Sequence, residues 1–189
     1  MTEAELESLT ATWGTRWGGA PIANEFPRRH ADRWVRFHSL PQSKRYAETE
    51  DEYGIILTRH HRVLAELGAD DGLYVIAGYF EDAQGRISAA RAHHDAVPWM
   101  TIQPDERSYF VIPMTLYVSV TSLERSALDL FLRAVADDEI AYAIIAPPDL
   151  RWLYHPYDGG ADVIAPTAHD RDVLKDRHAG WLSAHPSGL

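Results

Sequence analysis

The stretch Trp152-Leu-Tyr-His-Pro-Tyr-Asp-Gly-Gly-Ala-Asp-Val-Ile164 decides the fold of this chain. A Gly-Gly pair stands between two runs of strand-forming residues, which predicts a β-hairpin. One histidine, two tyrosines and two aspartates lie close to the predicted turn. The hairpin therefore anchors the expected sheet and gathers the side chains best suited to chemistry.

The composition limits the class of protein. The chain has 189 residues, 46% of them hydrophobic and 24% charged, which fits one globular domain with a sizeable core. The absence of Cys excludes a thiol nucleophile and a Cys-based metal site. No run approaches the ~20 apolar residues that cross a membrane, and the acidic start from Met1 lacks a secretory signal. We therefore expect a cytoplasmic protein that has no membrane partner.

The charge balance is strongly acidic, with a formal net charge of −10. Binding to a nucleic-acid backbone depends on clustered Lys and Arg, so we expect no nucleic-acid partner. An acidic chain does suit a basic protein partner through electrostatic steering. Asp137, Asp138 and Glu139 form the acidic cluster that such a partner would contact. The alternative is that the charge serves solubility and the cluster is a solvated bend.

The order of the predicted elements favours an α+β fold with a mostly antiparallel sheet and about three main helices packed on it. Thr49 and Glu52 form a capping box for a helix over 49–67. Thr121 and Glu124 form a second capping box, for a helix that has Leu130 in its core stripe, and a third helix begins at Thr167. The predicted strands, besides the hairpin, are 33–38, 73–80, 114–121 and 141–146.

The chain shows no domain linker, so residues 1–189 are predicted to form a single domain. Residues 1–30 are expected to be irregular apart from a short helix over 2–10, because Gly and Pro interrupt the rest. Residues 81–109 are expected to form a long loop or insertion, which is typical of functional or mobile segments.

Several segments resemble an uncharacterised family of small bacterial proteins known only as a domain of unknown function. The matching segments are Trp34 to His38, the helix that carries Arg59 to Val63, the strand Ile144 to Pro147, and Tyr154 to Ile164. The family has a late element similar to Tyr-Asp-x-x-Gly-x-Asp-Ile. Here the Gly position is shifted and the central Arg is missing. The resemblance implies a bacterial α+β domain and no particular reaction.

Three residues of the hairpin, His155, Asp158 and Asp162, are candidates for a metal site, and His155 and Asp158 are also candidates for catalysis. Such a site needs three or four converging nitrogen or oxygen ligands, and His155 and Asp158 lie near the same turn. The alternative is that Asp158 forms an Asx-type turn, Asp162 caps backbone amides and His155 packs on neighbouring rings. Because the spacing matches no established metal signature, we predict no metal and no cofactor.

A second cluster combines Arg36, His38, Lys44 and Arg45. With Tyr157 of the hairpin, these cations predict an anion-binding pocket, and His38 joins the catalytic candidates. The alternative is that Arg36 pairs with an acid across the sheet and that the Lys-Arg pair is solvated.

The other histidines give weaker signals. His60 falls on the apolar stripe of its predicted helix, which is typical of a satisfied half-buried histidine rather than a ligand. His61 lies about a hundred degrees around the same helix, so the two rings diverge. His93 and His94 would likewise point apart on a strand. No nucleophile elbow and no phosphate-binding glycine loop is present in the sequence.

The sequence leaves three functions open. The leading hypothesis is a non-catalytic acidic protein-binding module, similar to an immunity protein or a regulator. The competing hypothesis is a small-molecule or anion-binding protein, or a hydrolase-type enzyme. Its pocket would lie between the strand of Arg36 and His38 and the hairpin of His155 and Asp158. The third is a homo-oligomer subunit with tryptophans at its interface.

Overall fold

The computed structural model describes residues 1–69, 72–81, 93, 95–104, 111–121 and 125–183. Seven strands form one sheet in the order β1-β7-β6-β5-β2-β4-β3, and every neighbouring pair is antiparallel. This confirms the predicted α+β fold with an antiparallel sheet. The strands are β1 Trp34–His38, β2 Leu73–Phe80, β3 Val97–Ile102, β4 Met114–Thr121, β5 Ala143–Ala146, β6 Leu153–Tyr157 and β7 Gly160–Ile164.

Five α-helices lie in the described part of the chain, more than the three main helices predicted. They are α1 Glu3–Arg16, α2 Phe26–Arg29, α3 Glu50–Glu66, α4 Arg125–Ala136 and α5 Ala168–Arg177. The core has two main parts because side chains of successive strand residues point to opposite faces. Buried residues of α3, α4 and α5 share one part with Val163, and those of α1 and α2 share the other with Ile164.

The N-terminal segment is more regular than predicted. Thr2 and Glu5 form a capping box, and α1 continues past Gly14 to Arg16, since Leu9 and Trp13 bury one side of it. The helix α2 follows within the segment that was expected to be irregular.

Two details of the helices differ from the prediction. Thr49 does cap α3, but the Glu52 carboxylate accepts from Lys44 and from the Glu48 amide instead of closing a capping box. Leu130 is 63% exposed, because the buried stripe of α4 follows the 3.6-residue period through other positions. Those positions are Leu128, Phe131, Leu132 and Val135.

Some predictions fall outside the described residues. They concern Glu124 of the second capping box, His94, and most of the predicted loop over 81–109. Within the described part of the chain, no helix is both long and apolar enough to cross a membrane.

Candidate ligand-binding site

Three polar side chains form a row across neighbouring strands. Arg36 of β1 is paired with Asp162 of β7, and Asp162 is paired in turn with His155 of β6. Residues directly opposite each other in antiparallel strands project from the same face. The row therefore lies on the α1/α2 face of the sheet, two residues along β1 from Trp34. His155 and Asp162 belong to one hairpin, whereas Arg36 becomes their neighbour only through the pairing of β1 with β7.

The first two members of the row form an ion pair. Arg36 donates from Nε to Oδ1 of Asp162 at 2.7 Å and from Nη2 to Oδ2 at 2.8 Å. These hydrogen bonds raise the pKa of Arg36 above its usual value. The guanidinium lies over the rings of Trp34 and Tyr157, 5.5 and 5.4 Å from their centroids. Because Asp162 takes one edge of the guanidinium, the Nη1 end remains available for a second acceptor.

The third member of the row is a buried, neutral histidine. His155 is 5% exposed, and its Nδ1 lies 2.6 Å from the carbonyl oxygen of Ala143. A carbonyl only accepts, so Nδ1 carries the proton and Nε2 carries a lone pair. Burial lowers the pKa of His155, although the bond to Ala143 and the charge of Asp162 oppose that shift. The ring can therefore accept a hydrogen bond, or a proton, at Nε2.

The hairpin turn supplies the next part of the site. Arg45 donates from Nε to Oδ2 of Asp158 at 2.6 Å, and the carboxylate is 7% exposed whereas the Arg45 side chain is 64% exposed. Burial raises the pKa of Tyr157, so its hydroxyl stays protonated and can donate. A Cβ at Gly160 would lie 2.2 Å from the carbonyl oxygen of Phe37 and 3.1 Å from the Tyr157 hydroxyl. Only glycine fits here without moving β1 or the Tyr157 ring.

The row and the turn line one cavity of about 700 Å³. Its charged lining consists of three arginines and three aspartates, and Trp34, Tyr157 and His155 contribute rings. A concave site with a few convergent polar groups is the usual form of a small-molecule site. The charged residues are Arg28, Arg36, Arg45, Asp138, Asp158 and Asp162.

The cavity brings together most of the residues that the sequence singled out. His155, Asp158, Asp162, Arg36, Arg45 and Tyr157 line it, and Asp138 joins them from the acidic cluster. Arg36 does pair with an acid across the sheet, Asp162, as the alternative interpretation expected. Both residues of that pair also line the cavity. Arg28 also lines the cavity, but the sequence did not indicate it, because it lies in a segment without any periodic pattern.

Other candidates lie outside the cavity lining. His38 projects from β1 beside Arg36, and its Nε2 is buried without a hydrogen-bond partner among the described residues. Burial and the nearby Arg36 lower the pKa of His38. Lys44 pairs with Glu52 at 2.6 Å and with Glu48 at 3.2 Å. Neither residue lines the cavity, and their part in an anion pocket stays a prediction.

The acidic cluster is divided between separate surroundings. Asp137 accepts a hydrogen bond from Tyr53, Asp138 lines the cavity, and Glu139 is exposed.

Two of the metal candidates form ion pairs with arginines, Asp162 with Arg36 and Asp158 with Arg45. Among the residues that the structure describes, no group of three or more His, Asp or Glu side chains could hold a metal ion.

A second buried histidine lies on the opposite face. His60 is 3% exposed, more deeply buried than predicted, with Nδ1 2.5 Å from the Tyr154 hydroxyl and Nε2 3.4 Å from the Ser39 hydroxyl. Burial lowers its pKa to about 3. Both ring nitrogens have partners, which fits the satisfied histidine that the sequence predicted.

These observations define an α+β protein with a polar, charge-paired cavity on one face of an antiparallel sheet. The chain belongs to the family described as a domain of unknown function, DUF3885, which matches residues 22–186. Every residue that lines the cavity lies within the matched range, whereas α1 lies outside it. No curated protein and no solved structure gave a significant match.

Proposed function

We propose that this protein binds a small polar molecule in the cavity above the Arg36-Asp162-His155 row. The observation that carries the proposal is the row itself. Among the residues that the structure describes, Nη1 of Arg36 and Nε2 of the neutral His155 have no hydrogen-bond partner, and both side chains border a cavity of about 700 Å³. An acceptor group of the ligand would contact Arg36 Nη1, and a donor group would contact His155 Nε2.

The chemistry of the row suits recognition, and it also suits general-base catalysis. A neutral histidine that is fixed by a backbone carbonyl can take a proton from a bound hydroxyl or water. Catalysis would need a reacting group on the ligand, so binding is the function that the contacts support most directly.

The test is a titration of small carboxylates, phosphates and polyols against the purified protein, followed by calorimetry on each ligand found. Arg36→Lys should weaken binding at least about tenfold. A lysine lacks the planar guanidinium, so it cannot make a bidentate bond to Asp162 and contact the ligand at the same time. Arg59→Lys is the matched control, since Arg59 is half-buried and stacks on Trp181 outside the cavity. Equal binding by the wild type and Arg36→Lys would contradict the proposal.

A basic protein partner at Asp137, Asp138 and Glu139 remains a prediction, as do a homo-oligomer and a cytoplasmic location. The division of the acidic cluster gives a partner a smaller acidic surface than the sequence suggested. Co-purification followed by native mass spectrometry would test both the partner and the oligomer.

A further inference from the structure

We infer that the ligand of the cavity is a dipolar small molecule, with a carboxylate at one end and a cationic group about 7 Å or more away. This inference rests on the proposed function and adds the class of ligand. It comes from the way in which the six charged side chains are distributed over the two ends of the cavity.

One end of the cavity carries a positive excess. Arg28, Arg36 and Asp162 line this end, since Arg28 belongs to α2, which packs against β1 and β7, the strands of Arg36 and Asp162. Arg36 is paired with Asp162, whereas Arg28 is exposed and has no ion pair among the described residues. A carboxylate at this end would meet the free Nη1 end of Arg36 and the uncompensated charge of Arg28.

The other end carries a negative excess. Asp138, Asp158 and Arg45 line this end together, so it has two carboxylates and one cation. Arg45 bonds to Asp158, and the charge of Asp138 further raises the pKa of Arg45. One guanidinium thus faces two carboxylates, so an ammonium or guanidinium group of a ligand would restore the balance.

The spacing of the two ends follows from the strand. Asp162 and Gly160 are two residues apart on β7, and a strand rises about 3.3 Å per residue, so their Cα atoms are about 7 Å apart. Asp158 lies beyond Gly160, in the turn. An α-amino acid group, with its two charges on neighbouring carbons, is too short to reach both ends.

The middle of the cavity adds no charge. His155 is neutral, and the Tyr157 hydroxyl keeps its proton. The lining therefore sums to zero, three positive and three negative side chains. A ligand of zero net charge leaves this balance intact, whereas a phosphate dianion would add about two uncompensated negative charges.

The experiment uses 6-aminohexanoate as the probe, in calorimetric titrations of the full chain at low salt. Hexanoate and hexylamine each carry one of the two charges, and glycine carries both at short spacing. We expect 6-aminohexanoate to bind at least about tenfold more tightly than any of the three. Arg28→Gln and Asp138→Asn should each reduce that advantage to within about threefold of the matching single-charge probe.

The variants are chosen to leave the fold intact. Both side chains are exposed, and Asp138 has a φ of 59°, a left-handed conformation that Asn also tolerates. Glu139→Gln is the matched control, because it removes the next carboxylate along the chain without changing the cavity lining. It should bind 6-aminohexanoate like the wild type.

The outcomes separate this inference from the proposed function. Hexanoate could bind as tightly as 6-aminohexanoate while Arg36→Lys weakens the binding of both. In that case the inferred dipolar class of ligand is wrong, but the proposed binding in the cavity is supported. If Glu139→Gln reduces binding as much as Asp138→Asn, the effect is general electrostatics and the inference is overturned. If 6-aminohexanoate gives no binding while another compound binds through Arg36, the inference also fails. Failure of every compound overturns both.

Discussion

His60 and His155 lie on opposite faces of one sheet and are almost equally buried, at 3% and 5% exposed. His60 has a side-chain partner at each nitrogen, Tyr154 at one and Ser39 at the other. His155 has a backbone partner at one nitrogen, and its ring borders a cavity. Burial alone therefore does not distinguish a histidine that only packs from one that a ligand could reach. The second ring nitrogen does, because an acceptor beside a cavity that has no partner among the described residues is what a ligand can use.

The largest expected effect is the contribution of His60 to the pH dependence of the free energy of unfolding. In the unfolded chain, His60 takes up a proton as the pH falls through about 6.5. In the folded chain, burial lowers the pKa of His60 to about 3. The unfolded state binds more protons in this window, so stability falls as the pH falls, by on the order of 4 kcal/mol at its acid end. Urea unfolding from pH 7 to 4 should show a clearly flatter dependence in His60→Gln. An unchanged slope would mean that His60 is not held neutral.

The next effect breaks the row on the cavity face. Arg36→Ala leaves the Asp162 carboxylate, which is 3% exposed, without its bidentate partner. We expect a loss of about 3 kcal/mol in the free energy of unfolding, measured by urea denaturation. The double variant Arg36→Ala with Asp162→Ala should recover part of that loss. Additive losses in the two single variants would show that the pair is not coupled.

A smaller effect compares two neighbouring glycines of the turn. Gly160→Ala pushes its Cβ against the Phe37 carbonyl oxygen, so the β1–β7 pairing must shift at a cost of about 2 kcal/mol. At Gly159 the nearest atom, Cγ of Arg45, is 3.5 Å from the added Cβ, which is an ordinary contact. Thermal unfolding should therefore separate the two variants clearly. A destabilised Gly159→Ala of equal size would point to the turn conformation instead.

The smallest effect concerns the exposed cation at the turn. Arg45→Gln removes the Asp158 partner, but the Arg45 side chain is 64% exposed and solvent screens the pair. The midpoint of thermal unfolding should fall less than it does in Arg36→Ala, because solvent reaches Asp158 from the side of Arg45 although the carboxylate is 7% exposed, while ligand affinity changes. A large drop in the midpoint would assign Arg45 to the fold rather than to the site.

The sequence predicted the elements that depend on local patterns. The helix α3 follows from the apolar spacing after Thr49, and the β6–β7 hairpin follows from Gly159 and Gly160. Both signals come from residues a few positions apart, where propensity and periodicity act directly. The strand order also determined the site, and no local pattern encodes it.

The row illustrates what the sequence could not supply. Arg36 and Asp162 were both candidates, but in separate hypotheses, one for anion binding and one for metal binding. Only the pairing of β1 with β7 puts them opposite each other, and that register depends on the whole sheet. Arg28 had no signal of its own, because an Arg-Arg pair after Pro27, in a segment expected to be irregular, is typical of a solvated loop.

The pairing of β1 with β7 also has a kinetic consequence. Arg36 and Asp162 are 126 residues apart, so closing this contact comes at a high entropic cost and belongs late in folding. During synthesis, a growing chain that has not yet reached Ile164 has no partner for β1 and therefore no cavity. We expect the α3 helix to form early and the cavity to be among the last parts of the molecule to assemble.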